Sequence, residues 1–238
     1  MVWNPLVAKS RRFASQAKTN GRPVPKPTHV VCHVTGSTDL EKVKQQFMSE
    51  VSPHYLIDKD GKIYQFVEEE NQAWHAGIKK AVHPLYAKSA GQWQKYLWNF
   101  DWYKYPQDSV YVDRDLHPVQ GKEMATFVAR PDGAAWPHYD YFKSRWGEDA
   151  GPLNYEVSNA PNAYSVGIEI LSFGAKTASS SSYTDAMYVS LLKLVKDICE
   201  RNAIPRAKGH VAGHEDVNPM QRFGWDPNQG FEWNRIWQ

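Results

Sequence analysis

Cysteine is scarce in this sequence, with two among 238 residues, Cys32 and Cys199. Two thiols build neither a disulfide scaffold nor a cysteine-rich zinc site. Both lie in apolar runs, where cysteine packs as a small hydrophobe, and a single bridge between them stays open. Long apolar runs are missing as well: none approaches the roughly 18 residues of a membrane span, and mean hydropathy is −0.63. Neither sign of charge is in excess, with 28 Lys+Arg against 26 Asp+Glu and a formal net charge of +2. The isoelectric point is near 8.4. A dedicated nucleic-acid binder shows a clustered basic excess and a pI above about 9, so nucleic acid is excluded as a partner. The first residues lack the continuous apolar core of a secretory signal, which sets the expectation of a protein cytoplasmic at synthesis.

What is present describes a folded chain: 42% hydrophobic, 13% aromatic and 23% charged residues, a globular and not a disordered composition. Residues 1–27 carry Lys9, Arg11, Arg12, Lys18, Arg22 and Lys26 and no acidic residue. They read as a basic N-terminal arm, either a solvated arm or short helix or a segment drawn to an anionic surface. From residue 28 the pattern becomes regular. HVVCHVT reads as a buried strand, and Leu40, Val43 and Phe47 mark a helix over 39–48. HYLI and KIYQFV flank Asp58-Lys59-Asp60-Gly61 as a hairpin. YSVGIEILSF forms another strand, Thr184 caps a helix running to about Arg201, and 209–217 supplies a last strand and loop. The fold class is α/β (mixed), a central mixed β-sheet flanked by helices. One domain, 28–238, is interrupted by an insertion at 79–163 that holds half of the aromatic residues. Its Trp93, Tyr96, Leu97 and Phe100 share a helical face, and its rings serve as a core or as a ligand platform.

Histidine and carboxylate carry the chemistry. His33, His214 and Asp226 offer two imidazoles and a carboxylate, a set that suits one Zn²⁺ and leaves the fourth position that catalytic zinc keeps open. Long separations of this kind arise by chance in many chains, so the local contexts matter. VCHVTGS puts His33 at a strand end with Cys32 on the opposite side. Glu169 is the one charge in an apolar strand, and an unpaired buried carboxylate is expensive, so it calls for a metal, a cation or a proton. Asp216 is an alternative ligand or an orienting carboxylate. His210 stands four residues before His214, but Gly209 and Gly213 flank the two and disfavour a helix, so His210 reads as structural or as a support to a ligand. Asp113, Asp115 and His117 alternate as a second-metal pattern or a solvated loop.

Six motifs occur in order: the first-strand His33, S-x-H-Y-x-I-x-x-D-G at 52–61, WHAG at 74–77, SVGIE at 165–169, GH-x-D at 213–216 and Asp226-Pro227. Together they resemble the zinc-dependent type-2 N-acetylmuramoyl-L-alanine amidases, a family of AmpD-like amidases, phage lysozyme-amidases and peptidoglycan-recognition proteins. The resemblance spans roughly 28–78 and 164–238. It implies zinc ligands at His33, His214 and Asp226, a catalytic carboxylate at Glu169, and hydrolysis of the amide joining N-acetylmuramic acid to L-alanine. His54 falls where relatives carry a group near the oxyanion, while Trp74 and His75 line the substrate groove. Many relatives have a lysine two residues before the last ligand. Here that position is Gly224, and Arg222 is the candidate to supply the positive charge. Peptidoglycan or muropeptides are the implied partners, with no partner protein. Action on the wall or periplasm after lysis-linked or secretion-system delivery, or in wall recycling, is the corresponding expectation. A non-catalytic peptidoglycan-binding module is the alternative; the complete ligand set favours the enzyme.

Overall fold

The computed structural model describes residues 3–76, 110–112, 127–129, 161–173, 182–207, 210–217, 222, 226–227 and 230–237. The remainder of the insertion at 79–163, with the Trp93–Phe100 face and the Asp113, Asp115 and His117 alternation, lies outside the described residues.

A five-stranded mixed sheet organises the molecule, in the order β4 (Ile63–Gln65), β3 (Tyr55–Ile57), β8 (Ser165–Ile170), β2 (His29–Val34) and β9 (Val211–Gly213), apart from an antiparallel pair of β6 (Val110–Val112) and β7 (Phe127–Ala129). Strand β2 (His29–Val34) is buried along its whole length, as expected for a β-branched run covered on both faces. It pairs in parallel with β8 (Ser165–Ile170) on one side and β9 (Val211–Gly213) on the other. β8 pairs in parallel with β3 (Tyr55–Ile57), and β3 turns through Asp58–Lys62 into antiparallel β4 (Ile63–Gln65). Asp58 holds that turn by accepting from the Asp60 and Lys62 backbone amides. In this register Glu169 of β8 lies beside His33 of β2. A strand's side chains alternate faces, so register neighbours share one: the imidazole and the carboxyl project together.

Helices cover the sheet. α1 (Leu40–Ser49) starts at Asp39, whose side chain accepts from the Lys42 amide, and buries Val43 and Phe47. α2 (Asp185–Asn202) is capped by Thr184 and buries Met187, Leu191, Leu194, Val195 and Ile198. It stops at Ala203, in the left-handed region with φ 58°, whose amide closes onto Cys199 and Glu200 carbonyls. α4 (Asn234–Trp237) packs near α2 through Phe231 and Trp233. Between β9 and α4, His214 opens the four-residue α3 (His214–Val217), where the sequence had read only a loop. Cys32 and Cys199 are buried free thiols, so the bridge left open above does not form. Among the described residues no helix is long and apolar enough to cross a membrane.

The N-terminal segment, expected at 1–27 as a solvated arm or short helix, holds one short 3₁₀ turn at Lys9–Arg11 and otherwise packs onto the molecule. Its described residues run along the sheet edge beside β4, with Phe13 and Ser15 amides donating to the Gln65 and Phe66 carbonyls. Phe13 stacks on Phe66 at 5.1 Å, and Val7, Ser15 and Ala17 are buried. β1 (Lys18–Thr19) then pairs with β5 (Gln72–Ala73). Three of the segment's cations bind back to the rest of the molecule: Lys18 reaches Glu68 at 2.8 Å, the exposed Lys26 donates to the Arg201 carbonyl, and Arg22 is held by backbone carbonyls as described below. Covering an edge strand removes a row of unpaired backbone groups, which is why this stretch folds without helical or strand periodicity of its own.

Candidate metal centre

Three parallel strands end at one place. β2 brings His33, β9 delivers His214 at the first residue of α3, and Asp226 is carried there by a chain segment lying against β9. That approach needs Gly213 to be glycine, since a Cβ there would stand 2.7 Å from Pro227 Cδ. Asp226 is pinned twice, by the Val34 amide on Oδ1 at 2.9 Å and by its own carbonyl accepting from the Glu215 amide at 2.7 Å.

The three side chains are buried and converge. His33 Nδ1 and His214 Nδ1 are 3.0 Å apart. His214 Nδ1 is 2.9 Å from Asp226 Oδ2, and His33 Nδ1 is 3.8 Å from Asp226 Oδ1. Among the described residues this is the one group of three whose donor atoms all fall within 4.8 Å of one another. Donors about 2.0–2.1 Å from a tetrahedral zinc lie roughly 3.3 Å from each other, so the spacing fits the ion. The electrostatics fit it too. Burial, opposed by Asp226, brings the His214 pKa down to about 4, so its imidazole is neutral and able to ligate. The adjacent imidazoles hold Asp226 well below the ordinary carboxylate range against the opposing effect of burial.

Glu169 occupies the neighbouring position. Its Oε2 is shielded from solvent with no hydrogen-bond partner. Burial first, and the Asp226 charge second, push its pKa well above the usual value, while Arg222 pulls the other way. Burial and the neighbouring charge thus favour the protonated form of Glu169, while the imidazoles favour the charged form of Asp226, opposite shifts of the kind found in acid–base sites. Arg222 Nε stands 4.0 Å from Asp226 Oδ2, so the structure brings this cation to the cluster.

The remaining candidates sit further out. His75 Nδ1 is 2.9 Å from His33 Nε2, on the side of that ring away from the cluster. Trp74 is 44% exposed, with its indole N–H donated to Thr19 Oγ1. His54 differs from the expected oxyanion stabiliser. It is fully buried, Nδ1 accepts from the Gly167 amide at 3.0 Å, and Nε2 faces the Asn71 carbonyl at 3.1 Å and Arg22 at 2.7 Å. With both nitrogens engaged it acts as a buttress behind His75, to which its ring packs at 5.6 Å. Asp216 is turned away from ligation, accepting from the Gly213 amide at 2.8 Å. His210 stacks on His29 at 5.0 Å, remote in role from the cluster.

Arg22 has a role that its sequence context does not announce. Its guanidinium donates to the carbonyls of Glu69, Asn162, Ala163 and Ser165 at 2.5–3.2 Å, tying the N-terminal segment to the start of β8. A lone arginine among five other cations gave no signal of this.

Comparison with known proteins places these residues in a family. The family model described as N-acetylmuramoyl-L-alanine amidase matches residues 21–101 and 96–229. The chain is 26% identical over 130 residues to the 1,6-anhydro-N-acetylmuramyl-L-alanine amidase AmpD of Salmonella typhimurium, covering 52% of this chain and 64% of that protein. The AmpD of Escherichia coli K12 is 25% identical over 130 residues, covering 52% of this chain and 65% of that protein. The match thus spans a little under two thirds of these relatives' length. A crystal structure of a selenomethionine AmpD derivative superposes with a TM-score of 0.48 at 20% identity, covering 99% of this chain and 97% of that one.

Proposed function

The chain belongs to the N-acetylmuramoyl-L-alanine amidase family, and from that premise we propose that it hydrolyses the amide between N-acetylmuramic acid and the L-alanine of a peptidoglycan stem peptide. The observation that carries this reading is the convergence of His33, His214 and Asp226 beside Glu169, a carboxyl whose Oε2 is buried and unpartnered.

His33 Nδ1, His214 Nδ1 and the Asp226 carboxylate would hold one zinc ion. Such an ion supplies Lewis acidity towards a carbonyl oxygen and towards water near neutral pH. The protein's own groups do the rest. Glu169 takes a proton from the attacking water and returns it to the departing L-alanine nitrogen. Arg222, beside Asp226, sets positive charge against the negative charge that develops on the scissile carbonyl. Trp74 presents an amphipathic ring to the glycan or the stem peptide. No nucleophilic side chain is required.

The substrate class is the muramyl-peptide amide, in polymeric wall or in soluble muropeptides. The test incubates the zinc-loaded chain with purified peptidoglycan and, separately, with 1,6-anhydro-muropeptides, and reads the products by mass spectrometry. The expected products are stem peptides with a free L-alanine amino terminus from at least one substrate. Glu169→Gln should bind zinc as the wild type does and release at least 100-fold less, the scale of a lost general acid–base. Zinc uptake without any release by the wild type would contradict the enzymatic reading and favour a binding module.

A further inference from the structure

The ring of His75 closes a hydrogen-bond chain whose direction can be read. Ser165 Oγ lies 2.8 Å from the Pro161 carbonyl. A carbonyl only accepts, so the single hydroxyl proton is spent there. At 3.2 Å from His75 Nε2 the same oxygen therefore accepts, and His75 carries its proton on Nε2. The lone pair of His75 then sits on Nδ1, 2.9 Å from His33 Nε2, which must be the donor. His33, protonated at Nε2, has its own lone pair on Nδ1, pointing towards His214 and Asp226.

We propose that His75 is a positioning residue for the metal centre, holding His33 in the tautomer and orientation that aim the Nδ1 lone pair at the ion. The role rests on the reading of His33, His214 and Asp226 as zinc ligands. Ligating histidines are commonly oriented by whatever accepts their second N–H; here another histidine takes that place.

His75 is itself tightly held. Its backbone amide and that of Ala76 both donate to Asn162 Oδ1, at 3.2 and 2.7 Å. Its ring meets His33 edge-on at 5.0 Å and 89°. It also lies directly on Gly167, where a Cβ would stand 2.4 Å from His75 Cγ. The glycine in SVGIE is therefore the floor under this ring, two residues before Glu169 on the same strand. Arg22 fastens the same segment through the Asn162, Ala163 and Ser165 carbonyls. The apparatus reaches from the N-terminal segment to the centre.

The test measures zinc affinity of the full chain by competition with a chromophoric chelator, alongside ¹⁵N NMR of the histidine side chains. His75→Phe keeps a ring on Gly167 but accepts nothing, whereas His75→Asn places an amide oxygen near the position of Nδ1. His75→Phe should bind zinc 10–100-fold more weakly, with His75→Asn restored to within about threefold of wild type. Equal affinity for wild type and His75→Phe, or an Asn variant as weak as Phe, would overturn the role. The wild-type spectrum decides even where a variant fails to fold. In zinc-loaded and in metal-free chain, the proton should sit on His33 Nε2 and couple across the hydrogen bond to His75 Nδ1. A proton on His75 Nδ1 in a chain that binds zinc overturns the inference alone. A wild-type chain that takes up no zinc overturns the metal reading and this role together.

Discussion

Gly167 shows how much of this site hangs on single atoms. The glycine carries no chemistry, yet any side chain there would enter the space of the His75 ring. Gly167→Ala should cost about 1–3 kcal/mol of stability, the scale of an overpacked interior, and should also weaken zinc binding by displacing His75. Chelator competition together with denaturant unfolding checks this; wild-type zinc affinity in a destabilised variant would separate packing from positioning. At this scale the sequence was legible where chemistry is local. An imidazole at a strand end and a carboxylate in an apolar strand announce themselves by type. Gly167, Arg22 and the buttressing of His54 did not, because each is explained by a residue far along the chain: His75, the 161–165 segment, and the Gly167 amide.

Elements were legible to the degree that their own periodicity carried them. β2, α1, the β3–β4 hairpin, β8 and α2 all have internal patterns or caps, and Thr184 and Asp39 mark the starts of their helices within one residue. The N-terminal segment has no such pattern. Val7, Phe13, Ser15 and Ala17 are isolated among basic and small residues, and packing on distant parts of the chain, from Phe47 and β4 to Trp74, buries Val7, Ser15 and Ala17 and partly buries Phe13. A run of unopposed cations therefore looked like a solvated arm. Its Arg22 instead satisfies four backbone carbonyls, of Glu69, Asn162, Ala163 and Ser165. Leaving buried acceptors unpaired costs about 1–3 kcal/mol each, so Arg22→Ala should destabilise the fold by more than about 2 kcal/mol. Arg22→Lys, with one head group for four acceptors, should recover only part of it. Equilibrium unfolding at neutral pH reads the loss; a change within 0.5 kcal/mol, the range of an ordinary surface substitution, would return the segment to the status of an appended arm.

Across the whole molecule, burial of histidine sets the response to acid. His29, His54 and His75 have pKa values well below the usual imidazole value, chiefly through burial, and His214 is brought down to about 4. In the unfolded chain each takes up a proton near pH 6.5, whereas the native state resists it. Native stability is therefore fully present above about pH 6.5 and falls as pH drops below it, by up to about 1.4 kcal/mol per pH unit for each histidine. Glu169 acts in the opposite sense, since its raised pKa favours the native state at lower pH. Among the described residues, one carboxyl shifted upward stands against four imidazoles shifted downward, which leaves their net slope with the histidines. Metal-free chain followed by denaturant unfolding should lose stability steadily from pH 6.5 to 5; a flat or rising profile over that interval would contradict the burial of neutral imidazoles.

The central claim, that His33, His214 and Asp226 hold one ion on which amide hydrolysis depends, is tested most directly by titrating zinc into chelated protein while counting released L-alanine-terminated stem peptides. Chelation should abolish release, and activity should return linearly with added zinc to a break at one equivalent. Full activity in metal-stripped chain, or recovery that passes one equivalent without a break, would contradict it.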